Sequence, residues 1–259
     1  MTRRFALILV ALMATASIVL SACGAAVPAA PALTDPKEIL TATILSLKDV
    51  KSVEFTGSFT GKIDMPELGT PLDLSTVKMS GAADIDGKKA KFSLDAPTLL
   101  GTKIDALLLD TAAYYKIAGP LAMLAGGGSA DKFTKVDVPA PSGKPVTDAA
   151  ELDKQIDEFK TALDKLPAPT KGADEKCGDT DCYHVTLKLT AADVKALDPT
   201  STMEGDFALD LWTRKNDRRP AKLLISVTSP EIGTVGMTFE LKYDVAVSVE
   251  APPADQILP

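Results

Sequence analysis

The sequence predicts an α+β fold: a strongly curled, mainly antiparallel sheet over helices, holding an apolar cavity. Three observations point there. Segments in which apolar and polar residues alternate recur from Val50 to Glu250, about nine or ten in all. Two segments carry a convincing helical period, one ahead of the strands and one in their middle. Strands around a helical middle give an α+β architecture rather than repeated βαβ units. At ~4.8 Å per strand the sheet is roughly 45 Å wide, and each helix covers only ~10 Å. Two helices cannot seal so wide an apolar face. Either the sheet curls and closes its own core, or apolar surface stays open for a ligand.

The chain begins with Arg3 and Arg4, an uncharged and mostly apolar run from Phe5 to Leu20, and then Leu20-Ser21-Ala22-Cys23. A short basic region, an apolar stretch and small residues before a cut form a secretory signal over residues 1–22. Cys23 directly after Leu-Ser-Ala makes it a bacterial lipobox. The Cys23 thiol takes diacylglycerol, the peptide is cleaved before it, and the new amine is open to acylation. Acyl chains then anchor the protein without spanning the bilayer. The expected location is extracytoplasmic, at the cell membrane. Gly24 to Leu33, with Pro28 and Pro31, is a linker of small residues, so residues 23–34 form the acylated start and its tether. A single domain, 35–259, follows.

Asp35-Pro36 reads as an N-cap with proline at the first helical position. Ile39, Leu40, Thr43, Ile44 and Leu47 recur at helical spacing over 36–48. The period then becomes two. Val53, Phe55, Gly57, Phe59, Gly61 and Ile63 share one face of a long strand, with Gly57 and Gly61 where a sheet bends or another group comes close. Met65 to Pro71 is a turn. Val77–Ile85 and Lys88–Asp95 flank Asp86-Gly87 as a hairpin. Ile104–Leu109 and Ala112–Ile117 pair across Asp110-Thr111. Gly119 to Leu124 reads as a short helix ending at Gly126-Gly127-Gly128, Lys132 to Val138 as a short strand, and Pro139 to Pro145 as a loop. Asp148 with Glu151 fits a capping box. Leu152, Ile156, Phe159, Leu163 and Leu166 place an amphipathic helix at 149–165, stopped by Pro167 and Pro169. Cys182 to Thr190 is a strand, and 191–197 a helical turn. The last 55 residues form a three-strand meander, whose third strand alternates from Met237 to Glu250.

Composition narrows the function. Without residues 1–22 the chain keeps 26 basic against 35 acidic side chains, a charge of −9. That excludes nucleic acid and overall attraction to anionic lipid heads, so membrane contact falls to the acyl anchor. With Cys23 acylated, Cys177 and Cys182 remain, joined by a Gly/Asp turn, and read as a disulfide of an exported protein. A metal site lacks ligands, since His184 is the one histidine and no other cysteine is free. His184 falls on the polar face of its strand as a solvated side chain. Trp212, the one tryptophan, sits beside the basic turn through Arg218 and Arg219. It is either a membrane-facing or partner-facing edge or a strand residue next to a solvated turn. No nucleophile elbow, P-loop or dinucleotide fingerprint occurs. The carboxylates lie on polar faces, and no catalytic residue is assigned.

Residues spread over the mature chain carry a resemblance. Asp35-Pro36-Lys37-Glu38-Ile39-Leu40 opens a helix and Lys51-Ser52-Val53-Glu54-Phe55 a long strand running to Gly61-Lys62-Ile63. Gly81-Ala82-Ala83 and Tyr114-Tyr115-Lys116-Ile117 follow. Leu211-Trp212, Arg219-Pro220-Ala221-Lys222-Leu223 and a strand running into Pro252 close the chain. This order resembles the LppX/LprA/LprF/LprG lipoproteins of actinobacteria. The resemblance implies a half-barrel sheet similar to the LolA and LolB carriers, with helices on its concave face and a large apolar cavity. It implies binding of acylated lipid or glycolipid and transfer across the cell envelope, with an envelope transporter as a further partner. The Cys177–Cys182 loop is not a general feature of that family.

The reading is therefore a monomeric, non-enzymatic lipid carrier whose ligand is the bound lipid, with no other cofactor. Phe55, Phe59, Phe92, Leu209, Ile225, Phe239 and Leu241 are its expected lining. The alternative is an envelope scaffold or lipoprotein chaperone in which the same side chains fill a core, as alternating apolar residues usually do.

Overall fold

A computed structural model of the chain describes residues 31–64, 71–119, 122, 131–137, 149–197, 205–230 and 232–258. The signal segment, Cys23, the 65–70 turn, the capping box, the glycine triplet and the 139–145 loop lie outside them.

The first helix, α1, spans Pro36–Ser46 and starts where the cap chemistry places it. The Asp35 carboxylate accepts from the backbone N–H groups of Lys37 (2.7 Å) and Glu38 (3.1 Å). The second, α2, spans Ala149–Lys165, and a short α3 spans Ala191–Leu197. Strands β1 (Ser52–Thr60), β2 (Lys62–Ile63), β3 (Leu72–Asp73), β4 (Lys78–Asp84), β5 (Lys89–Ala96), β6 (Thr102–Leu109), β7 (Ala112–Ala118) and β8 (Thr134–Asp137) precede α2. Strands β9 (Thr170–Lys171), β10 (Glu175–Cys177), β11 (Thr180–Leu189), β12 (Asp206–Arg214), β13 (Pro220–Ser229) and β14 (Gly233–Tyr243) follow it.

Twelve of these strands form one sheet in the order β10-β11-β12-β13-β14-β1-β4-β5-β6-β7-β8, with β9 added to β11. Every pair is antiparallel. The sheet is open, ending at β8 and at β10, and is not a closed barrel. The expected α+β class with a mainly antiparallel sheet therefore holds. Two meanders, β4–β8 and β10–β14, are joined because β1 pairs with β14 on one side and β4 on the other.

Both helices pack on one face at the β11–β12 end. Ile39 and Leu40 of α1 and Leu163 of α2 form a cluster with Tyr183, Val185 and Leu211, and Phe159 and Leu223 pack against it. A second cluster, of Leu72, Leu74, Val77 and Ala96, gathers Phe59, Ile63 and Leu94 around the small β2–β3 sheet.

Two strands differ from the periodic reading. The long first strand breaks at Gly61, whose φ of +102° is open to glycine, and a Cβ there would meet the Thr234 backbone oxygen. The last strand ends at Tyr243 although the alternation continues to Glu250. Beyond the Val53–Tyr243 pair, Asp244 takes a φ of 54°, its N–H donates to the Ser52 carbonyl (2.9 Å), and its carboxylate accepts from Lys51 N–H and Arg219. The tail turns off the ladder there. Val249 is nevertheless buried, so the alternation records burial without strand pairing.

Ile39, fully buried where α1 packs on the sheet, supports a direct test. Ile39→Ala should lower the unfolding free energy by about 2–4 kcal/mol in urea denaturation. Burial pushes the Tyr243 hydroxyl above the ordinary phenol range, against the opposing pull of Arg214 and Arg219. Its folded pKa is raised, so above about pH 10 the unfolded chain loses this proton first and stability falls. Thermal melts of Tyr243→Phe should show a shallower alkaline loss than the parent chain.

Candidate ligand-binding face

Directly paired residues share a face of a sheet. One row runs across nine strands: Val185, Leu211, Leu223, Phe239, Gly57, Met79, Leu94, Ile104 and Ile117. Its neighbour on the same face runs Leu241, Phe55, Gly81, Phe92, Ala106 and Tyr115. A third runs Leu187, Leu209, Ile225, Met237 and Phe59. All seven residues expected to line a cavity thus lie on one face, the face that carries the helices.

They do not share one environment. Phe59 packs against the Leu72–Leu74 cluster. Phe55, Phe92, Leu209, Ile225, Phe239 and Leu241 are half-buried and belong to neither core cluster among the described residues. Three of them form an aromatic group, with the Phe55 ring 6.5 Å from Phe92 and 6.0 Å, edge-on, from Phe239. Leu108 and Val136 extend the same face toward β8 at 40% and 45% exposure.

Two glycines shape this surface. A Cβ on Gly81 would stand 2.5 Å from the Phe55 ring and 2.9 Å from the Lys91 carbonyl oxygen, so the ring lies flat across the neighbouring strand. Gly57 receives the Met79 side chain in the same way. The close approach at Gly57 was expected from its place in the strand. The role of Gly81 and Met79 depends on register and has no local signal.

The opposite face is polar. Its central row runs His184, Trp212, Lys222, Glu240, Thr56, Ser80, Ser93, Asp105 and Lys116. Here the structure corrects the reading of His184 as solvated. Its side chain is 18% exposed and stacks on Trp212, with centroids 4.4 Å apart and planes 6° apart. Nδ1 lies 3.2 Å from a Glu175 oxygen and Nε2 2.9 Å from Asp210. Trp212 is buried within β12, and its indole N–H donates to Glu175 (2.9 Å). The Cys177–Cys182 disulfide bridges the β10–β11 hairpin that carries Glu175, with Cα atoms 5.9 Å apart. No group of three or more potential metal ligands occurs, and no helix is long and apolar enough to cross a membrane, both among the described residues.

No family model and no curated protein matches the chain. Among solved structures it is similar to the Mycobacterium tuberculosis lipoprotein LppX (13% identity, TM-score 0.48, 83% of this chain and 98% of that one). It is similar also to LprF from Mycobacterium bovis (13% identity, TM-score 0.48, 84% and 96%). A further neighbour is the MucA/MucB complex of Pseudomonas aeruginosa (11% identity, TM-score 0.39, 87% of this chain and 61% of that one). LppX and LprF are named in the family that the sequence resembles.

The Gly81 notch gives a testable coupling. Gly81→Val should destabilise the domain by about 1–3 kcal/mol by overpacking the Phe55 ring. Phe55→Ala in the same chain should recover part of that loss, so the two effects are non-additive in a double-mutant cycle of urea midpoints.

Proposed function

We propose that the protein is a membrane-anchored lipoprotein that binds acylated lipid or glycolipid on the helix-bearing side of its sheet and carries it across the cell envelope. The observation that supports this best is the group of Phe55, Phe92, Phe239, Leu209, Ile225 and Leu241. These lie on the core-facing side of the sheet yet outside both core clusters and only half-buried. Such a surface is costly to leave in water and suits an acyl chain, at ~0.8 kcal/mol per methylene buried. A dozen methylenes would contribute roughly 10 kcal/mol before ordering costs are subtracted. The wall contributes no polar anchor, so chain length is discriminated weakly. In this reading an apolar cavity lies against that wall, and the head group stays at its mouth.

The rest of the proposal follows from the sequence. Residues 1–22 serve as the export signal, Cys23 carries the acyl anchor, residues 23–34 are the tether, and the domain beyond works outside the cytoplasm as a monomer without catalytic chemistry. Contact of the Phe55 ring with both Phe92 and Phe239 supports the second reading, an envelope scaffold or lipoprotein chaperone with a filled core.

Native mass spectrometry of the protein, extracted gently from a bacterial membrane, separates the two. A carrier shows discrete added masses that extract into organic solvent as lipid. A bare protein mass, with no uptake of added lipid, overturns the carrier reading. Leu241→Asp should reduce that loading while the circular dichroism spectrum is kept. Wholesale unfolding by this change would favour the filled core.

A further inference from the structure

The disulfide hairpin formed by β10 and β11 walls a cleft of about 670 Å³ on the polar face, whose far side is β1 and β14 through Glu54, Thr56, Glu240 and Lys242. The inner arm of the hairpin, β11, is laddered to β12, and its outer arm, β10, is held by three pairs with β11, the disulfide and the cluster around His184. A carboxylate only accepts hydrogen bonds, and a neutral imidazole has one N–H and one lone pair. His184 presents both ring nitrogens to carboxylates, Glu175 on Nδ1 and Asp210 on Nε2. Only the imidazolium can donate to both. When its proton leaves to solvent, one contact sets a lone pair against a carboxylate oxygen.

The two contacts are not equally anchored. Asp210 belongs to β12, inside the sheet, and accepts also from the Thr186 hydroxyl (2.5 Å). Glu175 belongs to a three-residue edge strand and, among the described residues, otherwise accepts from the Trp212 indole. The Glu175 contact is therefore the one that yields. Lys222 of β13 also faces this stack, 4.4 Å from the Trp212 ring centroid, and next to Glu175 the Asp174 carboxylate accepts from Lys171 of β9 and from Lys215 (2.6 Å each). From the β9 side, backbone at Gly172 closes over Nδ1, and its N–H donates to the His184 carbonyl (2.9 Å).

We propose that protonation of His184 latches β10, the outer arm of the disulfide hairpin, against the polar face through Glu175, and that deprotonation loosens this wall of the cleft. The latch acts on the face opposite the apolar wall, so it stands or falls independently of lipid binding.

Hydrogen–deuterium exchange of the full chain in detergent, run between about pH 5 and 8, tests this. With intrinsic exchange corrected, protection of the amides of 175–182 should fall severalfold as pH rises. His184→Gln should remove that pH dependence. Glu175→Gln, at an exposed edge position, should remove it too, and it decides the matter if His184→Gln does not fold by circular dichroism. Flat hairpin protection across this range overturns the latch. So does a pH dependence that persists in a folded His184→Gln chain or in Glu175→Gln.

Discussion

The pairing of β1 with β14 is the contact on which the architecture depends. It brings Val53–Thr60 against Gly236–Tyr243, near opposite ends of the domain, and turns two local meanders into one sheet. Every other ladder is far more local, its widest gaps being residues 61–77 between β1 and β4, 119–133 between β7 and β8 and 190–205 between β11 and β12. Closing so long a loop costs entropy before any contact rewards it. The reward is a matched face. Because side chains alternate strictly, one residue of slip between β1 and β14 would turn Phe55 and Phe59 away from Phe239 and Leu241. On its other edge the glycine notches fit β1 to β4, since the Phe55 ring lies over Gly81 and Met79 over Gly57.

The joined sheet has two faces with different physics. The face that carries the helices is sealed at the β11–β12 end by Ile39, Leu40 and Leu163 and around β2–β3 by Leu72 and Leu74. Among the described residues, the half-buried aromatic group lies outside both clusters. This is the unequal coverage that a wide sheet and two helices imply, and the lipid-binding proposal grows from it. The reverse face is held by polar pairs instead, such as Ser93 with Asp105 (2.9 Å) and Lys116 with Asp105 (3.5 Å). Cys182, Ala82 and Tyr114 are buried on this face as well, and Trp212 is kept dry there by His184, Glu175 and the disulfide hairpin.

The tertiary structure also explains the two strands that the alternation misjudged. Period two reports burial on one side and does not report a hydrogen-bonded neighbour. Val245, Val247 and Val249 keep the period past Tyr243, but β1 begins at Ser52 and offers nothing further to pair with. In β1 the alternation runs through Gly61, whose positive φ ends the ladder all the same.

The sequence by itself determined what depends on near neighbours. The Asp35-Pro36 cap starts α1, the amphipathic period sets α2 at 149–165, and Asp86-Gly87 turns β4 into β5. Two cysteines five residues apart close their loop. The face of each apolar side chain within its own strand was legible as well, which is why all seven expected lining residues lie on one side of the sheet. Only the tertiary structure decided which strands became neighbours, and with that which residues meet. Phe55 touches Phe239 and Gly81, and His184 stands between Glu175 and Asp210, because of register across strands that no local pattern encodes. A strand's side-chain alternation is a property of its own backbone. Its partners are set by the total free energy of the assembled sheet, summed over contacts distant in the chain.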